Sequence, residues 1–157
     1  MEADKFQRLL RECIGHQENP FHPFVWITGN PVIGQNTFIG GYSSINATNV
    51  EIEIGENCDI ASYVMINAAD SHRRCIELDD EICRKPIKIG DHVFIGTHSA
   101  VLGGAVVGHH CVIAAGTIVR EGEIPPFSLI LPHEIKRGYY REAYEQKFGS
   151  ATKYNGR

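Results

Sequence analysis

Between Ile89 and Val119 an aliphatic residue stands at every sixth position: Ile89, Ile95, Val101, Val107, Ile113 and Val119. The residue after it is usually small, as at Gly90, Gly96, Gly108 and Ala114. The residue four positions on is small or β-branched: Val93, Ser99, Ala105, Cys111 and Thr117. A helix needs a period of about 3.6 and a lone strand a period of about 2, so a fixed six fits neither. It fits a parallel β-helix, in which each hexad supplies one short strand and one corner. The same phase recurs at Ile27, Ile33, Ile39 and Ile45, and again at Ile54, Ile60 and Ile66. The step from Ile45 to Ile54 is a hexad with a short insertion, and the step from Ile66 to Ile89 leaves room for a protruding loop over 69–86. Repeats stabilised by stacking on their neighbours need only a few copies, and this chain has enough for a self-supporting rod.

The flanks follow other patterns. Residues 3–14 put Phe6, Leu9, Leu10, Cys13 and Ile14 on one helical face, with Gly15 as the stop, and predict an amphipathic cap over the first coil. Pro20 and Pro23 punctuate an irregular entry whose Phe21, Phe24 and Trp26 either pack on the open end of the prism or line a sugar-binding surface. Pro125 and Pro126 are expected to end the repeat, residues 139–148 to form a short charged helix, and the last residues to fray. The expected organisation is one domain over 1–157: an N-terminal helix and entry segment (1–24), β-helix coils (25–120) and a C-terminal extension (121–157).

Composition narrows the function classes. A net charge of −4 gives no general reason to expect a nucleic-acid partner. No apolar run approaches the roughly 20 residues of a membrane span. The start MEADKFQRLLREC has no signal-peptide core, so a cytoplasmic location with no membrane partner is the expectation. The cysteines include no CxxC pair. Cys58 and Cys111 fall at the small interior position of the hexad, which predicts buried structural thiols.

The run IGDHVFIGTHSAVLGGAVVGHHCVIAAGTIV followed by IPPFSLI resembles the hexapeptide-repeat acyltransferases, in particular their sugar and amino-sugar O- and N-acetyltransferase branch. The resemblance covers roughly Ile33 to Ile135. It implies an all-β, left-handed parallel β-helix with three hexads per triangular coil. It also implies a homotrimer, acetyl-CoA as co-substrate, a sugar or nucleotide-sugar acceptor, and active sites between subunits. In that family the interrupting loop carries a histidine base, and the only histidine in the matching loop here is His72, with Asp70 two residues before it to orient the ring. Imidazole titrates near neutrality, as deprotonation of an attacking amine or hydroxyl requires. His72 also falls six after Ile66, so an interior structural role stands beside the catalytic one.

By position, the resemblance carries the donor site onto Thr97, Gly103, Gly104, Ala115, Arg120, Lys136 and Arg137. Thr97 would lie at the acetyl end, where backbone amides stabilise an oxyanion; the glycines and Ala115 would flank pantetheine, and the cations would face CoA phosphates. Corner geometry for the glycines and plain solvation for the cations are the alternatives. Ser43, Asn46 and Asn67 are candidate acceptor contacts, as are Arg73 in the loop, whose planar fork suits a diphosphate, and His98. Salt bridging within the loop would equally explain Arg73. His92, His98 and His110 each lie three after an aliphatic, read as one outward column. Their spacing lacks the H-x4-H of a γ-carbonic-anhydrase-like zinc site, so no metal is expected. Within the acetyltransferase reading, O-acetylation is the alternative to N-acetylation of a nucleotide-linked amino sugar for surface polysaccharide. A zinc protein or a non-catalytic β-helix scaffold is the alternative of another class.

Overall fold

The computed structural model describes residues 3–15, 17 and 19–149; the terminal residues expected to fray, 150–157, lie outside them. The chain winds into a parallel β-solenoid with three faces. The first face stacks strands 26–29, 44–47, 65–67, 100–102 and 118–119. The second stacks 32–33, 52–54, 87–89, 105–107 and 122–124, and the third 38–39, 59–60, 94–95, 112–113 and 129–130. A last strand, 135–136, turns back antiparallel onto Leu129 and Ile130.

The six-residue period is the geometry of one face. On the first face Ile27, Ile45, Ile66, Val101 and Val119 lie directly over one another. Ile54, Ile89, Val107 and Ile124 do so on the second face, and Ile39, Ile60, Ile95, Ile113 and Ile130 on the third. All of these are buried, and the flanking strand positions point outward. Each buried isoleucine or valine contributes about 1.5–3 kcal/mol by leaving water. The slot after the aliphatic must be small because the coils nearly touch there. A Cβ on Gly90 would lie 2.6 Å from the amide nitrogen of His109 in the next coil.

Two expectations about the ends need correction. Pro125 and Pro126 do not end the repeat, and the coils do not stop at 120. Ile124 and Ile130 continue the interior stacks, because the interval after Val119 shortens by one residue and the phase then resumes. The prolines occupy a corner opposite Gly108, where a Cβ would meet the Pro126 nitrogen at 2.5 Å. Helix α1 (Ala3–Ile14) forms as expected and stops at Gly15 (φ 68), whose N–H bonds to Arg11 O. Its packed side is Phe6, Gln7 and Leu10, whereas Leu9, Cys13 and Ile14 remain exposed. Phe6 meets Phe24 edge-on at 5.2 Å. In the entry segment Phe21 packs against the core, while Phe24 and Trp26 stay on the outside.

The loop leaves the first face after Ala68 and returns at Pro86. Its feet, strands 69–70 and 83–84, form an antiparallel ladder, and helix α2 (His72–Cys75) follows the first foot. Helix α3 (Arg141–Phe148) closes the described chain.

Candidate active site

A triangular solenoid has three edges, and each carries a different chemistry. We call them the loop edge (first to second face), the histidine edge (second to third) and the tyrosine edge (third to first).

The loop edge carries the His72 loop. Asp70 accepts two hydrogen bonds from His72, one from its backbone N–H (3.0 Å) and one at ring Nδ1 (2.7 Å). The His72 side chain is 67% exposed, which removes the interior alternative: the loop has already left the coil at that point. The two bonds from His72, backbone first, hold the Asp70 carboxyl below its ordinary range. In the neutral ring a carboxylate at this position makes Nδ1 the protonated nitrogen and Nε2 the one with a lone pair. Arg73 forms a two-pronged pair with Asp79 inside the loop. Its guanidinium thus has an internal partner, the salt-bridging alternative raised from the sequence.

Asn46 and Asn67 also lie near this edge, on the outer side of the first face. They form a polar ladder: Thr28 Oγ1 donates to Asn46, Asn46 to Asn67, and Asn67 to Ala69 O. The ladder ends at the loop's foot, so these asparagines brace the loop. Gly103, Gly104 and the exposed Arg120 belong to the same edge in the coils above. The family resemblance places Gly104 beside a pantetheine arm, with corner geometry as the alternative; in the single chain its flank is covered and its backbone is that of a corner. Its φ is +87, and a Cβ there would lie 2.8 Å from Glu121 Cγ, because the Glu121 side chain already lies across it.

Thr97, His98 and Ala115 belong to the tyrosine edge. Thr97 Oγ1 donates to Ser62 O (2.7 Å) and lies 3.0 Å from His98 Nδ1. His98 caps a column of nearly parallel rings, Phe24, Tyr42, Tyr63 and His98, spaced 5.0–5.1 Å. Ser43 is here too, but buried: its hydroxyl donates to Ala61 O and accepts from Val64 N–H. It ties two coils together and is not an acceptor contact.

Lys136 and Arg137 sit beyond the histidine edge. Lys136 pairs with Glu134 (3.6 Å), and Arg137 Nη1 donates to Glu123 O. On this edge His92, His110 and Phe127 stack at 4.7 and 5.1 Å, and Tyr144 of α3 closes against His110 and Phe127. The histidines therefore do not form one column. Residues six apart occupy successive edges, so His98 stands apart from His92 and His110. Burial, helped by the charges of His92 and His109, lowers the His110 pKa to about 4. Among the described residues no group of three His, Cys, Asp or Glu side chains is placed to hold a metal ion. Cys58 and Cys111 are buried with their thiol pKa values raised by that burial, as structural thiols should be.

One chain thus brings Asp70 to His72 but separates that pair from Thr97 and Ala115 by the width of the first face. The staple that anchors the loop, Arg84 to Thr48 and Lys85 to Glu121, joins residues 36 apart in sequence and leaves no local signal.

Two family profiles match: residues 32–68 match the hexapeptide repeat of succinyl-transferase, and residues 86–121 the bacterial transferase hexapeptide (six repeats). Residues 32–68 and 86–121 are therefore hexapeptide repeats of the kind found in bacterial transferases. The chain is 37% identical over 134 residues to galactoside O-acetyltransferase of Escherichia coli K12, covering 80% of this chain and 63% of that protein. It is also 29% identical over 137 residues to the carboxysome assembly protein CcmM of Nostoc, covering 77% of this chain and 24% of that protein. The chain therefore spans less than two thirds of either relative's length. Among solved structures, AntD, an N-acyltransferase from Bacillus cereus in complex with dTDP and 3-hydroxybutyryl-CoA, shares the fold. Its TM-score is 0.66 at 19% identity, over 82% of this chain and 74% of that one.

Proposed function

We propose that this protein is an acetyl-CoA-dependent acetyltransferase acting on an amino or hydroxyl group of a sugar. The observation that carries the reading is the exposed Asp70–His72 pair on the loop that interrupts the solenoid. His72 Nε2 takes the proton from the acceptor as the acceptor's nitrogen or oxygen attacks the thioester carbonyl. Backbone amides at Thr97 stabilise the oxyanion, and the tetrahedral adduct collapses with the C–S bond breaking. The CoA thiolate then takes the proton from the imidazolium.

The Asp70–His72 pair and Thr97 lie at different edges of one chain, so this assignment requires two copies to meet. A homotrimer with active sites between subunits satisfies it. Trp26, Ser44, Met65, Ala100 and Ile118 form an outward row on the first face. Trp26, Met65 and Ile118 are exposed beside the exposed rings of Tyr42 and Tyr63, and this largely apolar surface suits such contacts. Ala115 and Arg120 remain assigned to the donor, with Lys136 and Arg137 toward its phosphates. Asn46, Asn67 and His98 remain assigned to the acceptor. A nucleotide-linked amino sugar, N-acetylated in the cytoplasm for surface polysaccharide, is our preferred acceptor. The similarity to the galactoside enzyme favours O-acetylation as the second reading, and the similarity to a carboxysome assembly protein favours a non-catalytic scaffold as the third.

The test is thiol release from acetyl-CoA over a panel of free sugars and nucleotide-linked amino sugars, with thermal protection by CoA measured alongside. Release with one acceptor identifies the branch. Neither release nor protection would favour the scaffold.

A further inference from the structure

The loop that carries Asp70 and His72 has surface hydrogen bonds but no core of its own. Every residue from Asp70 to Glu81 is exposed, and α2 buries no side chain. Ordering a residue costs about 1–2 kcal/mol of backbone entropy, so a loop without a core must be held at its ends. Its return strand carries two consecutive cations that reach in opposite directions along the solenoid axis. Arg84 Nε donates to Thr48 O (3.1 Å) in the coil below, while its Nη1 donates to Ile82 O (3.3 Å) within the loop. Lys85 reaches past Gly103 and Gly104 to pair with Glu121, two coils above, and its backbone N–H bonds to Ala68 O where the loop departs.

The glycines beneath this arrangement are its seat. A Cβ on Gly103 would lie 3.0 Å from Ala68 O and 3.2 Å from Lys85 O, the two feet of the loop. A Cβ on Gly104 would collide with Glu121, the carboxylate that Lys85 holds. The Lys85 ammonium is stabilised accordingly, its pKa raised mainly by the hydrogen bond to Glu121.

We propose that Arg84 and Lys85 are positioning residues: a two-sided clamp, seated on Gly103 and Gly104, that sets where Asp70 presents His72. The mechanical path is short. Thr48 holds Arg84; the foot ladder places neighbouring Cys83 opposite Asp70; Asp70 holds His72 through both of its bonds. The catalytic part of this proposal rests on His72 being the base, whereas the structural part does not. Arg84 is also specific as arginine, because a planar fork can bond two carbonyls in divergent directions and an ammonium on a flexible stem holds neither angle.

The experiment pairs backbone amide exchange across 69–85 with steady-state thiol release for wild type, Arg84→Ala, Arg84→Lys and Lys85→Ala. In Arg84→Ala, exchange over the loop should accelerate about tenfold or more while strands 87–89 and 100–102 keep their protection. The kcat should fall about tenfold to a hundredfold with the KM for acetyl-CoA unchanged, as for a misplaced catalytic group. Arg84→Lys should rescue little of either, and Lys85→Ala should give the smaller effect. Glu121→Gln, an exposed change at the other arm, keeps the test open if Arg84→Ala folds poorly, and it should loosen residues 83–86. Wild-type exchange in both Arg84→Ala and Glu121→Gln would overturn the clamp. Faster loop exchange together with full turnover in His72→Ala would leave the clamp standing and refute the base.

Discussion

The loop edge and the histidine edge put the same residue type to opposite uses. At the loop edge His72 is exposed, touches a carboxylate and stands on a segment without a core. At the histidine edge His110 lies between His92 and Phe127 under Tyr144, with its proton affinity driven down to about 4. Asp70 favours a protonated Nδ1 and so a usable Nε2, whereas stacking and desolvation favour a neutral, inert ring. A histidine's position in a repeat therefore says little about its chemistry. What decides it is whether the coil's next layer covers it.

If the histidine edge is a structural stack, its largest sensitivity is to loss of a ring. Phe127, 2% exposed and under the Arg141 guanidinium at 5.0 Å, should cost about 3–5 kcal/mol of stability as Phe127→Ala. Urea unfolding would show this, with turnover per folded molecule unchanged. Asp70→Asn should do the reverse. It should lower kcat about tenfold to a hundredfold, from the loss of one charged hydrogen bond, and leave the unfolding midpoint in place.

The smallest effect is in the pH dependence. His110 has a folded pKa below its unfolded value near 6.5, so its neutral form is what the fold favours. Its contribution is complete above about pH 6.5 and is lost as pH falls from there toward about 4. His92, His109, Asp91 and Arg141 face the same cluster: the histidines and Arg141 oppose added positive charge, and Asp91 partly offsets them. Urea midpoints at pH 7.5, 5.5 and 4 should fall in that order, and His110→Asn should flatten the decline, since asparagine tolerates the left-handed backbone of His110 (φ 55). A steady midpoint across that range in the wild type would break the contrast between the edges.

The six-residue period made the prism legible because one hexad is one face, and every interior stack follows from it. The end of the prism was hidden by a single missing residue between Val119 and Ile124, which shifts the phase and made Pro125 look like a terminator. The histidines were misgrouped for a related reason: six residues move the chain to the next edge, and only a full coil returns it to the same one. Insertions stretch that return from Tyr42 to Tyr63 and again from Tyr63 to His98, so the ring column has no visible period. His72 and Asp70 were legible because they are neighbours in sequence. The braces around them were not, since Thr48 and Glu121 reach the loop only after the chain has wound through other coils.

The central claim is that His72 is the group that deprotonates the acceptor. The measurement that tests it most directly is kcat for thiol release with saturating acetyl-CoA, wild type beside His72→Ala, with CoA protection recorded for both. The account predicts a loss of about a hundredfold to ten-thousandfold, with CoA protection and unfolding midpoint unchanged, since the side chain is exposed and outside the core. Turnover in His72→Ala at the wild-type rate would contradict it.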